Sequence, residues 1–157
     1  MNRQHTWRIA AMVAASAMLV VGCATTGSPS QTTDGEASAV VVTLQEWAVL
    51  TEVDTAPAGD VTFEVTNDGP EDVHEFVVIK TDLDPGELPT DADGVVDEAG
   101  EGTEVIDEIE DMPVGETRSM TVTLDAGNYV LICNIWDTDE GEAHYRMGMR
   151  TQFSVTD

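Results

Sequence analysis

Asn128-Tyr129-Val130-Leu131-Ile132-Cys133-Asn134 and, beyond it, His144-Tyr145-Arg146-Met147-Gly148-Met149 are the stretches on which the reading of this chain turns. An apolar strand ends in a thiol, and the segment after it carries an imidazole and then a thioether. Thiolate, imidazole and thioether together are the soft and borderline donors that suit copper cycling between Cu(I) and Cu(II), ideally as two imidazoles and a thiolate with a weak axial thioether. Past the N-terminal segment the only other histidine is His74, so the chain can supply one such site.

The flanking sequence reads as strands. Val61, Phe63 and Val65 alternate with Thr62, Glu64 and Thr66, and Asn67-Asp68-Gly69-Pro70 closes that run with turn chemistry. Similar runs lie at 39–44, 73–80, 118–124, 128–134 and 149–155, separated by turns at Pro57-Ala58-Gly59, Pro113-Val114-Gly115 and Asp125-Ala126-Gly127. Short strands with turns between them, and no long amphipathic helix, predict an all-β antiparallel Greek-key sandwich. In this pattern His74 shares a strand face with Phe76 and Val78, and Cys133 with Tyr129 and Leu131, so both donors point inward. An inward histidine or cysteine by itself is more often a core residue. The conjunction of nearly all the soft donors at strand ends is what favours a metal.

Between Asp82 and Asp111, thirteen of thirty residues are acidic and none is basic. This predicts a long, solvated acidic insertion ending in a strand at 104–109. Asp91-Ala92-Asp93-Gly94 lacks the glycine position and closing acid of an EF-hand, so the solvated loop is the better reading.

The 157-residue chain carries a formal net charge of -25. Arg3 and Arg8 belong to the N-terminal segment, which leaves four basic residues against 31 acidic ones, 4 - 31 = -27. Nucleic acid and anionic lipid headgroups are poor partners for such a surface. The acidity suits either high salt or docking to a basic redox partner.

Arg3, Arg8 and the apolar run 9–21 have the form of a signal peptide and are too short for a comfortable membrane span. Val20-Val21-Gly22-Cys23 resembles the lipobox of bacterial lipoproteins, in which the cysteine is lipidated; an ordinary signal peptide cut near Ala24, or a short anchor helix, is the alternative. Residues 1–22 then form the signal peptide, 23–38 the lipidated Cys23 with a flexible linker, and 39–157 a single domain. The fifteen polar linker residues reach roughly 20 Å by the flexible-chain estimate. With Cys23 lipidated, Cys133 has no disulfide partner, and a free thiol in an oxidising compartment calls for an occupant such as a metal.

From residue 39 onward the chain resembles the cupredoxins, the type 1 blue copper family of plastocyanin, azurin and auracyanin, and most of all the bacterial lipoprotein cupredoxins related to sulfocyanin. The resemblance rests on Val73-His74-Glu75-Phe76, on Tyr129 to Ile135, and on His144-Tyr145 with Gly148-Met149. It implies about eight strands in a Greek-key barrel or sandwich with one type 1 copper per chain. His74, Cys133 and His144 match the family's equatorial ligands and Met149 the axial thioether, with Met147 the alternative. Ten residues separate Cys133 from His144, where family members commonly have two to four. The copper nitrite reductases also have a lengthened loop at their type 1 site. The loop's four carboxylates are expected to favour Cu(II) and to form part of a docking surface.

The implied function is a monomeric one-electron carrier, not an enzyme, lipid-anchored outside the cytoplasmic membrane on the periplasmic or cell-surface side. Its partners would be a cytochrome or oxidase, with electrons passing through a partly exposed edge of His144. Histidine clusters for a catalytic copper, and a second loop cysteine for a binuclear centre, are absent from the sequence. Two other readings remain: an extracytoplasmic copper-binding protein for delivery, resistance or sensing, and a metal-free sandwich for adhesion.

Overall fold

A β-branched run, Val40-Val41-Val42-Thr43, starts the fold. In Ser38–Gln45 (β1) the side chains of Val40, Val42 and Leu44 are buried while Val41 is exposed, the period-two burial of a strand covered on one face. The computed structural model describes residues 37–157; the expected signal peptide, Cys23 and most of the expected linker lie outside the described residues. After β1 come Ala48–Thr51 (β2), Thr55–Pro57 (β3), Gly59–Asn67 (β4), His74–Lys80 (β5), Glu104–Met112 (β6), Thr117–Leu124 (β7), Gly127–Ile132 (β8), the short pair Trp136–Asp137 (β9) and Glu142–Ala143 (β10), the single turn His144–Met147 (α1) and Arg150–Thr156 (β11).

These strands form a sandwich of two sheets, ordered β2-β1-β4-β7 and β3-β11-β8-β5-β6, with β9 and β10 pairing separately. Most pairings are antiparallel, as the turn spacing predicts, but β1 pairs with β4 and β3 with β11 in parallel. The reason is the path of the chain. After β2 it crosses to the other sheet at β3 and comes back in β4, so β1 and β4 meet running in the same direction.

The core between the sheets includes Val42, Leu44, Phe63, Val65, Phe76, Leu131 and Phe153. A second cluster lies on the outer face of the five-stranded sheet, where Leu88, Val96 and Tyr145 cover Val77, Ile79, Val130 and Ile132. This corrects the expectation of a wholly solvated acidic insertion. Its acids face water, but its few apolar residues cap the sheet, which is why β5 and β8 are apolar on both faces. Asp91 is occupied by a turn, its Oδ1 accepting from the backbone N–H groups of Asp93, Gly94 and Val95.

Three chain ends converge at one end of the sandwich. β5 begins there, antiparallel β8 ends there, and β11 begins there against β8, with Ile132 opposite both Val77 and Arg150. Asn67, fully buried at the end of β4, ties the loop that follows it to this end: Nδ2 donates to the carbonyls of Asp72 and Met112, each at 2.8 Å, and Oδ1 accepts from Gly69 N–H at 2.9 Å. Asn67→Ala leaves those three backbone groups without partners and is expected to cost about 2–4 kcal/mol, read as a lowered urea midpoint at constant slope.

Candidate metal centre

His74 opens β5, Cys133 follows the last residue of β8, and His144 opens α1, so the topology delivers one donor from each to the same end. His74 Nδ1 and His144 Nδ1 lie 3.2 Å apart, and Cys133 Sγ is 3.9 Å from the first and 3.4 Å from the second. All three donor atoms fall within 4.8 Å of one another, on fully buried residues.

The ten-residue spacing is absorbed by a hairpin. Ala143 pairs with Trp136 and Glu142 with Asp137, while His144 N–H donates to Ile135 O at 2.9 Å. The insertion therefore leaves and returns at its own base, and His144 stands beside Cys133 as if the loop were short. Asp137 fixes the hairpin tip by accepting from Asp139 and Glu140 N–H.

The two methionine candidates are separated by burial. Met149 is fully buried in the same cluster as Cys133, whereas Met147 is 41% exposed. The Met149 backbone joins two of the donors: its N–H donates to His144 O and its carbonyl accepts from Cys133 N–H, each at 3.1 Å. Gly148 makes the bend possible. Its φ is +131°, and a Cβ there would meet the Trp47 carbonyl oxygen at 2.9 Å.

Burial decides the protonation of the metal-free site. It holds His74 down from 6.5 to about 4, with His144 adding to the shift and Glu46 opposing it. His144 is also lowered by burial, against the pull of Asp72, Asp137, Glu46 and Glu142. Burial pushes the Cys133 thiol up to about 12, although the N–H groups of Glu75 and Ile135 favour the thiolate. At neutral pH the donors are thus two neutral imidazoles and a protonated thiol, and any metal must displace that proton.

The surrounding residues hold the donors in place, and sequence reasoning missed them. Glu75 N–H donates to Cys133 Sγ at 3.4 Å, and the Glu75 carboxylate accepts from Asn134 N–H at 2.9 Å, clamping β5 to the end of β8. Asn134 bonds to both backbone groups of Val96, and the Tyr145 hydroxyl donates to Pro85 O and accepts from Leu88 N–H. Residues next to two of the donors thereby pin the acidic segment. Glu46 Oε1 accepts from Glu71 and Asp72 N–H and lies 3.8 Å from His74 Nε2, too far for a hydrogen bond. Neither Glu46 Oε2 nor the Nε2 of either histidine has a hydrogen-bond partner among the described residues.

Those outer nitrogens carry the protons when both Nδ1 atoms are free to ligate. Two imidazole nitrogens and a sulfur converging on one buried point fit a single copper ion. The order of strands in the two sheets and the place of the donors at the sandwich end complete the pattern. The chain has the cupredoxin fold.

No protein-family model and no curated protein matches the chain. Among solved structures, this cupredoxin fold is similar to the dithionite-reduced auracyanin of Roseiflexus castenholzii, at 22% identity and a TM-score of 0.57 over 78% of this chain and 100% of that one. The azurin Az-iso2 of Methylomonas sp. strain J follows at 16% identity and a TM-score of 0.52, over 78% of this chain and 100% of its own. Auracyanin A of Chloroflexus aurantiacus, described as a "blue" copper protein, gives 19% and 0.50 over 76% and 100%.

One expectation is overturned at this site. His144 has no exposed edge; it is 1% exposed, because Trp47 lies against it with ring centroids 5.2 Å apart at 74°.

Glu75 supplies a pH test on the metal-free domain. Burial chiefly raises its carboxyl from 4.5 to about 7, with Glu98, Glu108 and Glu110 adding to the rise. Between those values the folded state holds a proton that the unfolded state has lost, so stability falls as pH rises. His74 acts oppositely: between about 4 and 6.5 the unfolded state holds the extra proton, and stability climbs with pH. The two slopes oppose each other over their common range, from 4.5 to 6.5. Glu75→Gln, which retains the acceptor for Asn134, is expected to expose the climb. Thermal unfolding of metal-free protein across this range reads it, and identical profiles for the two proteins would contradict it.

Proposed function

We propose that this protein carries single electrons outside the cytoplasmic membrane, using one copper ion that His74, Cys133 and His144 would hold, with Met149 as a weaker fourth donor. The observation that carries the reading is the convergence of three buried donor atoms, two imidazole nitrogens and a sulfur, within 4.8 Å. Copper bound there supplies a one-electron couple. The protein's part is to hold the donors still: the Glu75 carboxylate fixes Asn134 beside Cys133, the hairpin base fixes His144, and the Met149 backbone joins Cys133 to His144. Burial of all three donors keeps water from the site. On loading, Cys133 gives up its proton, and both imidazoles keep theirs on Nε2.

The reading assigns no bond-making chemistry to the protein. The lipobox-like Cys23 supports a lipid anchor, and the net charge of -25 supports a partner with a basic docking face, such as a cytochrome or oxidase. The deciding experiment adds Cu(II) to the protein and follows absorption and voltammetry. An intense visible thiolate-to-copper band with a reversible one-electron wave is the expected result. Tight retention of Cu(I) with no reversible wave would instead favour copper delivery.

A further inference from the structure

A partner docked at the metal end of the sandwich cannot touch His144, which is 1% exposed. It meets whatever covers that ring. Trp47 does so, edge to face at a centroid distance of 5.2 Å, and the residue is itself only partly buried. The cover is firmly built. Trp47 sits in the turn between β1 and β2, and the Glu46 carboxylate beside it is held by Glu71 and Asp72 N–H at 3.0 and 2.8 Å. On the other side, the Trp47 carbonyl packs against Gly148 so closely that a methyl group there would clash.

The surroundings are acidic. Asp72, Asp137, Glu46 and Glu142 all act electrostatically on His144, and Glu71 and Asp72 act on Glu140 at the hairpin tip, so the β4–β5 loop and the hairpin present their carboxylates together.

We infer that Trp47 is the port through which electrons enter and leave this site, and that it centres the docking face for a redox protein presenting lysine and arginine side chains. The inference rests on the copper reading above. Electron tunnelling weakens steeply with the gap between donor and acceptor. The indole is a conjugated ring in contact with a buried ligand and reachable from outside, so it shortens the gap that burial of His144 opens. One electron passes from the reduced partner, which is oxidised, to the oxidised site, which is reduced. No bond forms or breaks, no proton moves, and the indole ends in the state in which it began. The carboxylates attract a cationic surface, and the indole face accepts a lysine or arginine from it.

The test uses the full copper-loaded protein and its Trp47→Leu and Trp47→Phe variants, with hexaammineruthenium as a cationic probe and hexacyanoferrate as an anionic one. The expected result is an unchanged visible band and potential, with electron exchange slowed several-fold in Trp47→Leu and less in Trp47→Phe. The cationic probe should be faster than the anionic one by about tenfold or more at low salt, the difference shrinking as salt is added. Wild-type rates in both variants would overturn the inference, as would faster exchange in Trp47→Leu, because His144 once uncovered would then be the better port. A slowing explained by a shifted potential in both variants would also overturn it, leaving Trp47 a structural cover. Failure of the copper reading looks different: no visible band in the wild-type protein.

Discussion

The Cys133→Ala variant is expected to lose the intense visible band completely and to bind copper weaker by orders of magnitude, while staying folded. Among the described residues, Sγ is the only sulfur close to both imidazole nitrogens that can become an anion, and without it the site has no thiolate-to-copper transition. Two neutral imidazoles and the weak Met149 thioether remain, and without an anionic donor they hold Cu(I) and Cu(II) poorly. The fold should tolerate the change because Cys133 is a small, fully buried residue inside the apolar cluster, and losing its sulfur costs about 1–2 kcal/mol of burial. Absorption after Cu(II) addition, together with a urea titration of the metal-free protein, separates the two effects. A band that survived in the variant would remove Cys133 from the site.

Phe63→Ala is expected to cost more stability than Cys133→Ala. Phe63 is fully buried in β4, with Phe76 at 5.3 Å and Phe153 at 5.6 Å between ring centroids, both tilted or edge-on. These three rings join the two sheets, since Phe63 belongs to one and its partners to the other. Truncating such a ring costs about 3–5 kcal/mol, a large part of the roughly 5–15 kcal/mol that holds a domain together. Because Phe76 lies two residues after His74 on the same face of β5, the cavity also loosens one donor. Equilibrium unfolding measures the loss, and a value near or below about 1 kcal/mol would mean that the neighbouring side chains close the space.

Much of the metal centre was legible because its signals are local. Tyr129, Leu131 and Cys133 alternate along a strand, and the burial of that face follows from the period of two. The match of His74, Cys133 and His144 to one site needed only that strand ends meet, as they do in a Greek-key sandwich. The acidic insertion was legible as an insertion but not as a cover. Leu88 and Val96 are too sparse to form a periodic pattern, and their role appears only against Val77 and Ile132 on the strands beneath. Asn67 looked like turn chemistry, and so it is, but its burial and its bond to the Met112 carbonyl depend on a strand 45 positions later in the chain.

By itself, then, the sequence determined what short-range pattern and residue chemistry can determine: strands from alternation, turns from glycine, proline and asparagine, an acidic surface, and a donor set suited to copper. Only the tertiary structure decided which groups surround those donors. Glu46 near His74, Trp47 over His144 and the hairpin that brings His144 back to Cys133 are contacts between segments with no shared periodicity. The first two depend on where the β1–β2 turn is carried by the pairing of β1 with β4, and that pairing is set by packing across the whole sandwich rather than by any stretch of residues read along the chain.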